Sequence, residues 1–227
     1  MSKMDLPWDK IRGICLTHSH TDHTSKLSSV MRVCDVPVYM TREEYYQERM
    51  QKLVGKFMEN PPRMVFIEPN KPFKIGSFMI LPIRANHDVG LPCHFYVQDE
   101  NSSFFFGCDT VDISMDAFNC MYFANFVMME SNYDEDAMNT DILDGEPVET
   151  PYDEELKYRI RNTAHMSNSR VRSVIKYLDK DKPILLGHIS KTYNSKKTLK
   201  KVFRKMKNVI IVDRDEYPQE FHIGDEE

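Results

Sequence analysis

Residues 14–24, ICLTHSHTDHT, place His18, His20, Asp22 and His23 within six positions, directly behind a short apolar run. The end of a buried strand ordinarily carries turn formers or a helix cap, so four metal-ligating groups there need another reason. Imidazole nitrogens and carboxylate oxygens bind divalent ions such as zinc. In a turn leaving a strand, His18 and His20 can point one way while Asp22 and His23 swing toward a second position. One loop then serves two adjacent ions. With only eight histidines in the chain, a chance grouping in a polar turn is a poor account of the pattern.

The remaining candidates repeat one relation. His87 follows the apolar run MILPIRA, Asp109 follows FFFGC and His188 follows PILLG. Each stands at the C-terminal end of an expected strand, where α/β sheets present their functional loops. Singly, each would be an ordinary hydrogen-bonded histidine or turn aspartate. Together with the first cluster they point to a metal site.

Around these residues the chain reads as a layered α/β protein. Strands are expected over 11–17, 36–40, 63–67, 72–85 (two, turning at KIGS), 94–98, 102–109 and 123–131, with helices over 25–35 and 42–54. Thr41 and Glu44 look like a capping box for the helix from Arg42 to Val54. Beyond residue 150, helices at 153–164, 168–180 and 195–206 alternate with strands at 183–188 and 208–214, and 221–227 reads as a frayed tail. Strands followed by alternating helices and strands imply sheet inside and helices outside. No linker, repeat or low-complexity tract interrupts residues 1–227, so a single domain is expected.

Composition narrows the partners. A net charge of −5 makes the protein no general polyanion binder, so such binding must be local, through bound metal or clustered Lys and Arg. One basic cluster exists, SKTYNSKKTLKKVFRKMKN (190–208), and one acidic stretch, DEDAMNTDILDGEPVETPYDEE (134–155), which reads as an unstructured loop. On composition alone both are solvated surface. Five scattered cysteines without a C-x-x-C pair fit a reducing cytoplasm. No apolar run is long enough for a membrane span, and the N-terminus lacks a signal-peptide pattern.

THSHTDH matches the H-x-H-x-D-H motif of the metallo-β-lactamase fold superfamily. The resemblance implies a four-layer αββα sandwich in which His18, His20 and His87 hold one ion, Asp22, His23 and His188 the other, with Asp109 bridging. Two divalent ions, Zn²⁺ or Mn²⁺, are the implied cofactors. Aspartate rather than cysteine at the bridging place points toward phosphodiesterases and nucleases. From about Ile11 to Phe203, the segments GICLTHSHTDHTSKL, NHDVGLPCHFYV, FFFGCDTVDIS, FVMMESNYD, ELKYRIRNTAHMSNSRV and LLGHISKTYN are similar to the WalJ/YycJ-type branch, described as DNA exonucleases. That branch usually has glycine where this chain has Ala164. His165, in AHMSN, is an extra ligand, a phosphate contact or a packed histidine at a helix start.

The function implied is hydrolysis of DNA from its ends by a metal-bridging hydroxide, with Asp22 or His165 moving protons. Ser167 and Asn168 at a helix start, and Lys191 and Asn194 after ligand His188, are the residues expected to grip phosphate. Two further readings stand beside it: a phosphodiesterase for cyclic nucleotides or small phosphate esters, and a non-catalytic partner-binding relative. Family members carry strands and a supporting aspartate upstream of the motif, whereas only Met1–Gly13 precede it here. The expectation is an N-terminally truncated fold that has adapted, that has decayed, or that is completed by a second polypeptide or a second copy.

Overall fold

The computed structural model describes residues 8–57 and 63–212. Its contacts fall into two compact units, one running to Arg84 and resuming over Val89–Glu100, the other formed by Ala85–Asp88 and the chain from Asn101 onward.

The first unit contains β1 (Ile14–Cys15), α1 (Thr21–Thr24), α2 (Leu27–Val33), β2 (Val38–Thr41), α3 (Arg42–Tyr45), α4 (Glu48–Val54), β3 (Met64–Ile67), β4 (Phe73–Ile75), β5 (Phe78–Arg84) and β6 (Cys93–Gln98). Strands β1, β2 and β3 run parallel, with Ile14 opposite Val38 and Val38 opposite Met64. Strands β4, β5 and β6 form an antiparallel meander. Leu16, Leu27, Val38, Met40 and Met50 make a buried cluster, which fixes α2 and α4 through their apolar faces. The strand expected over 11–17 is only two residues long, because the chain leaves it early to form the histidine loop.

The helix expected from Arg42 to Val54 is two helices. Tyr46 closes α3, and Gln47 (φ −60°, ψ 136°) is extended and opens α4. On one continuous helix Glu44 and Met50 would lie roughly 120° apart, yet both are fully buried; the break lets each reach its own surroundings. Only half the capping box forms. The Thr41 hydroxyl accepts from the Glu44 N–H, but the Glu44 carboxylate turns away to the Ser19 amide.

The second unit contains β7 (Ser103–Phe106), α5 (Met115–Phe123), β8 (Phe126–Glu130), α6 (Glu135–Thr140), β9 (Ile142–Leu143), β10 (Glu146–Pro147), α7 (Glu154–Arg159), α8 (Asn168–Ile175), β11 (Ile184–Gly187), α9 (Lys196–Val202) and β12 (Val209–Ile211). Strands β7, β8, β11 and β12 are parallel in that order. Their continuous apolar runs and α-helical connections are what a parallel sheet requires. Residues 213 and 214 of the last expected strand, and the tail at 221–227, lie outside the described residues. Among the described residues, no helix is long and apolar enough to cross a membrane.

The acidic stretch is structured, contrary to expectation. Asp134 caps α6 by accepting from the Ala137 N–H. Asp144 and Gly145, both at positive φ, form the two-residue turn joining β9 to β10, the Asp-Gly pairing that such hairpins favour. The buried Lys157 ammonium donates to Asp141 (2.9 Å) and Tyr193 OH donates to the same carboxylate, so one acid of the stretch is spent internally. Helix α5 has no counterpart among the sequence expectations; Met115, Tyr122 and Phe123 are exposed on it, which blurs its apolar period.

Candidate metal centre

In the first unit, β1 delivers the chain into a tight loop that continues as α1. His18 and Ser19 are buried, His20 and His23 partly so, and Asp22 is exposed. The His18 ring lies 4.8 Å from that of His20 and 4.1 Å from that of His23, centroid to centroid. The Thr17 hydroxyl stands 3.2 Å from His18 Nδ1 and 3.3 Å from His23 Nδ1. Having one proton to give, it must accept from at least one of these rings. Asp22 Oδ2 is 3.4 Å from His23 Nε2. Glu44 braces the loop from behind: its Oε2 accepts from the Ser19 N–H at 2.8 Å. Gly90 leaves room for it, since a Cβ there would sit 2.6 Å from Glu44 Oε1.

In the second unit the parallel strands end on the other candidates. Asp109 follows β7, Glu130 ends β8 and His188 follows β11. Asp109 (φ 52°) and His188 (φ 49°) both hold left-handed backbone, a conformation that costs energy in non-glycine residues and concentrates at functional sites. His188 Nε2 lies 3.2 Å from Asp109 Oδ1, and His87 Nε2 lies 3.8 Å from Asp109 Oδ2. One ligand atom from each of Asp109, Glu130, His165 and His188 falls within 4.8 Å of the others.

Helix α7 runs on into a π-helical turn, Ile160–Ala164, closed by the His165 N–H reaching back to the Ile160 carbonyl at 2.9 Å. That turn places two groups. The Ala164 carbonyl accepts from His87 Nδ1–H (3.0 Å), and His165 Nδ1–H donates to Glu130 Oε2 (2.9 Å). Glu130 Oε1 accepts from the Thr110 N–H (2.7 Å) and the Met166 N–H (3.3 Å). Burial raises the Glu130 pKa, while the bond from His165 opposes the rise.

These hydrogen bonds test whether a metal fits. With Nδ1–H held by the Ala164 carbonyl, His87 presents Nε2 to the Asp109 carboxylate. A neutral ring so placed offers a lone pair beside a carboxylate, a donor set that a divalent cation fits, and a carbonyl-oriented imidazole is how protein metal ligands are set. The nitrogen and oxygen donors suit zinc, manganese or iron alike.

The expected substrate residues are placed differently from one another. The Ser167 hydroxyl accepts from the Arg170 N–H as the cap of α8 and donates to Glu135. Asn168 and Asn194 are buried and bonded to each other, and Asn194 also donates to the Ser131 and Asn132 carbonyls. Asn132 in turn donates to the His188 carbonyl at 2.9 Å. Lys191 is exposed. A pocket of about 380 Å³ reaches His165 and is lined by Tyr133, Arg161 and Arg170. Sequence reasoning missed Glu130 and Asn132. Glu130 was findable, because it stands at the end of an apolar strand as Asp109 and His188 do.

Candidate ligand side chains gathered at strand ends fit the class of metal-dependent hydrolases. The chain matches the profile of the Beta-lactamase superfamily domain over residues 4–189 and belongs to that superfamily. It is 25% identical over 191 residues to Exodeoxyribonuclease WalJ of Streptococcus pneumoniae, spanning 83% of this chain and 67% of that one. It is 24% identical over 195 residues to Exodeoxyribonuclease YycJ of Bacillus anthracis, spanning 85% and 69%. Among solved structures, the metallo-β-lactamase fold protein YhfI from Bacillus subtilis superposes with a TM-score of 0.64 at 16% identity, covering 92% of this chain and 78% of that one. A diphosphatase of the PhnP family superposes with a TM-score of 0.58 at 15% identity, covering 89% and 68%. The fold is therefore that of the metallo-β-lactamases.

Proposed function

We propose that the protein is a dinuclear-metal phosphodiesterase acting as a DNA exonuclease, the whole chain serving as one hydrolase domain. His18, His20 and His87 would hold one ion and Asp22, His23 and His188 the other, with Asp109 shared. Divalent ions held there supply an activated water and neutralise phosphate oxygens. The observation that carries the reading is the Glu130–His165 pair beside Asp109 and His188. A buried carboxylate bound to Nδ1–H steadies the charged imidazole and leaves Nε2 as the proton-bearing edge, the arrangement a general acid needs to protonate a departing sugar oxygen. His165 suits this role better than Asp22, whose side chain is 59% exposed.

Ser167, Asn168 and Asn194 act as posts for the loops, and Lys191 is the exposed cation offered to phosphate. The exonuclease names of the curated relatives support DNA as substrate, and five free thiols suit the reducing cytoplasm in which DNA is found. A pocket of about 380 Å³ also suits a single nucleotide, which keeps small phosphodiesters as the second reading. The test is incubation with linear duplex, single-stranded and closed circular DNA and with cyclic nucleotides, under Mn²⁺ and under Zn²⁺. Release of mononucleotides from linear DNA, with circles left intact, is expected. Turnover of cyclic nucleotides alone would replace the nuclease reading with the second one.

A further inference from the structure

We infer that the groove formed by α8, α9 and the β9–β10 hairpin is a binding track for the phosphate backbone of a nucleic-acid strand; the inference rests on the phosphodiesterase reading above. The open groove offers about 1050 Å³, the upper end of what small-ligand pockets provide. Its cations are Arg172, Lys176, Lys197, Lys201, Arg204 and Lys205. Arg172 lies on α8 with Lys176 just past its end, and Lys197 and Lys201 lie on α9 with Arg204 and Lys205 in the turn after it. Four helical residues advance about 6 Å, so Lys197 and Lys201 stand about one turn apart, and the cations together line the groove as a stripe suited to an extended polyanion.

This charge is only partly neutralised from within, Lys197 lying 3.9 Å from Asp144 Oδ1. Among the described residues, Arg172, Lys176, Arg204 and Lys205 form no ion pair. Four carboxylates, Asp134, Glu135, Asp136 and Asp144, line the groove against its six cations, which leaves it net positive. Asp134 caps α6, Glu135 accepts from the Ser167 and Ser169 hydroxyls, and Asp144 accepts from the Ser195 and Thr198 hydroxyls. Two further features suit a nucleic acid. The groove adjoins the smaller pocket that reaches His165, and the carboxylates at their shared edge, Glu135 and Asp136, would keep a strand's phosphates on the side of the α8 and α9 cations. Tyr177, next to Lys176, is 66% exposed with the Lys176 ammonium 4.7 Å from its ring centre, a surface on which a base can stack.

The test uses the full chain with its metals and a fluorescent single-stranded oligonucleotide whose phosphorothioate linkages resist cleavage, with Kd measured across a salt series. The variants are the triple Lys176→Gln, Arg204→Gln, Lys205→Gln and the corresponding triple Glu. For the wild type, log K should fall with log salt by about 0.7 per phosphate contact. The Gln triple should reduce that slope by about 2 and raise Kd roughly tenfold at low salt. Its hydrolysis of bis(p-nitrophenyl) phosphate should equal that of wild type. Unchanged affinity and slope in the Glu triple overturn the track, as does wild-type protein that binds polyglutamate in preference to the oligonucleotide. Wild-type protein that binds DNA through these residues but never cuts it upholds the track and sinks the nuclease reading. Cleavage of DNA with wild-type affinity retained by the Glu triple does the reverse.

Discussion

Replacing Glu130 with glutamine isolates the proton-transfer role of His165. The carboxylate accepts three hydrogen bonds, two from backbone N–H groups at Oε1 and one from His165 at Oε2. Glutamine keeps an oxygen for the two backbone donors but turns an NH₂ toward the ring. His165 must then accept at Nδ1, which moves its own proton to Nε2 and removes the anion that steadied its charged form. For folding, a bond of roughly 1.5–3 kcal/mol is exchanged for one of roughly 0.5–1.5 kcal/mol. Relief from burying a charge offsets that loss, so thermal stability should hardly move. For catalysis, the loss is that of a general acid, about 10²–10⁴ in rate, or roughly 2.7–5.4 kcal/mol of barrier. The assay compares two leaving groups. Hydrolysis of an oligonucleotide, whose alkoxide must be protonated, should slow at least about 100-fold, whereas a p-nitrophenyl ester, which leaves unaided, should slow less than about fivefold. An oligonucleotide rate within about threefold of wild type refutes the assignment of His165.

Other consequences are checked more simply. Chelation should abolish turnover and lower the melting temperature, because a ligand present at 100 times its Kd stabilises by about 2.7 kcal/mol; a fully active metal-free protein would end the dinuclear reading. Gly90→Ala should destabilise by about 1–3 kcal/mol through the clash with Glu44 and weaken zinc binding by calorimetry, and an unchanged melting curve would show that the brace on Ser19 is slack. Burial pushes the Cys15 and Cys93 thiols up to about 12, so iodoacetamide at pH 8 should leave both unlabelled until guanidinium unfolds the chain. Labelling in the native protein, read by mass spectrometry, would contradict the raised thiol pKa values.

The candidate ligands were legible in the sequence as residue types at strand ends, and few of their supports were, for a physical reason. Ligands betray themselves by residue type at strand ends, and His87, Asp109 and His188 stand where that rule put them. Supports are defined by what they touch. Glu44 reads as half of a capping box until the fold bends its carboxylate to Ser19, and Asn132 gives no signal before its amide meets the His188 carbonyl. The acidic stretch misled because composition was weighed above turn chemistry. Its Asp144–Gly145 pair is a hairpin signal, and the charge that looked like solvated loop is held by Lys157, Tyr193 and the start of α9. The helix broken at Tyr46–Gln47 was illegible locally, since the break serves two burials rather than any residue that disfavours helix.

The widened turn ahead of His165 has a bearing on how this protein can vary. Arg161, Asn162 and Thr163 turn largely to solvent or bond to surface neighbours, so many side chains would serve there. Their number is another matter. Deleting one would restore regular α-helical winding, rotate everything downstream by about 100° and draw it back about 1.5 Å, parting His87 from its carbonyl and His165 from Glu130 together. Selection on this segment should therefore tolerate spelling and forbid gaps, so that chain length, rather than amino-acid identity, is the inherited trait.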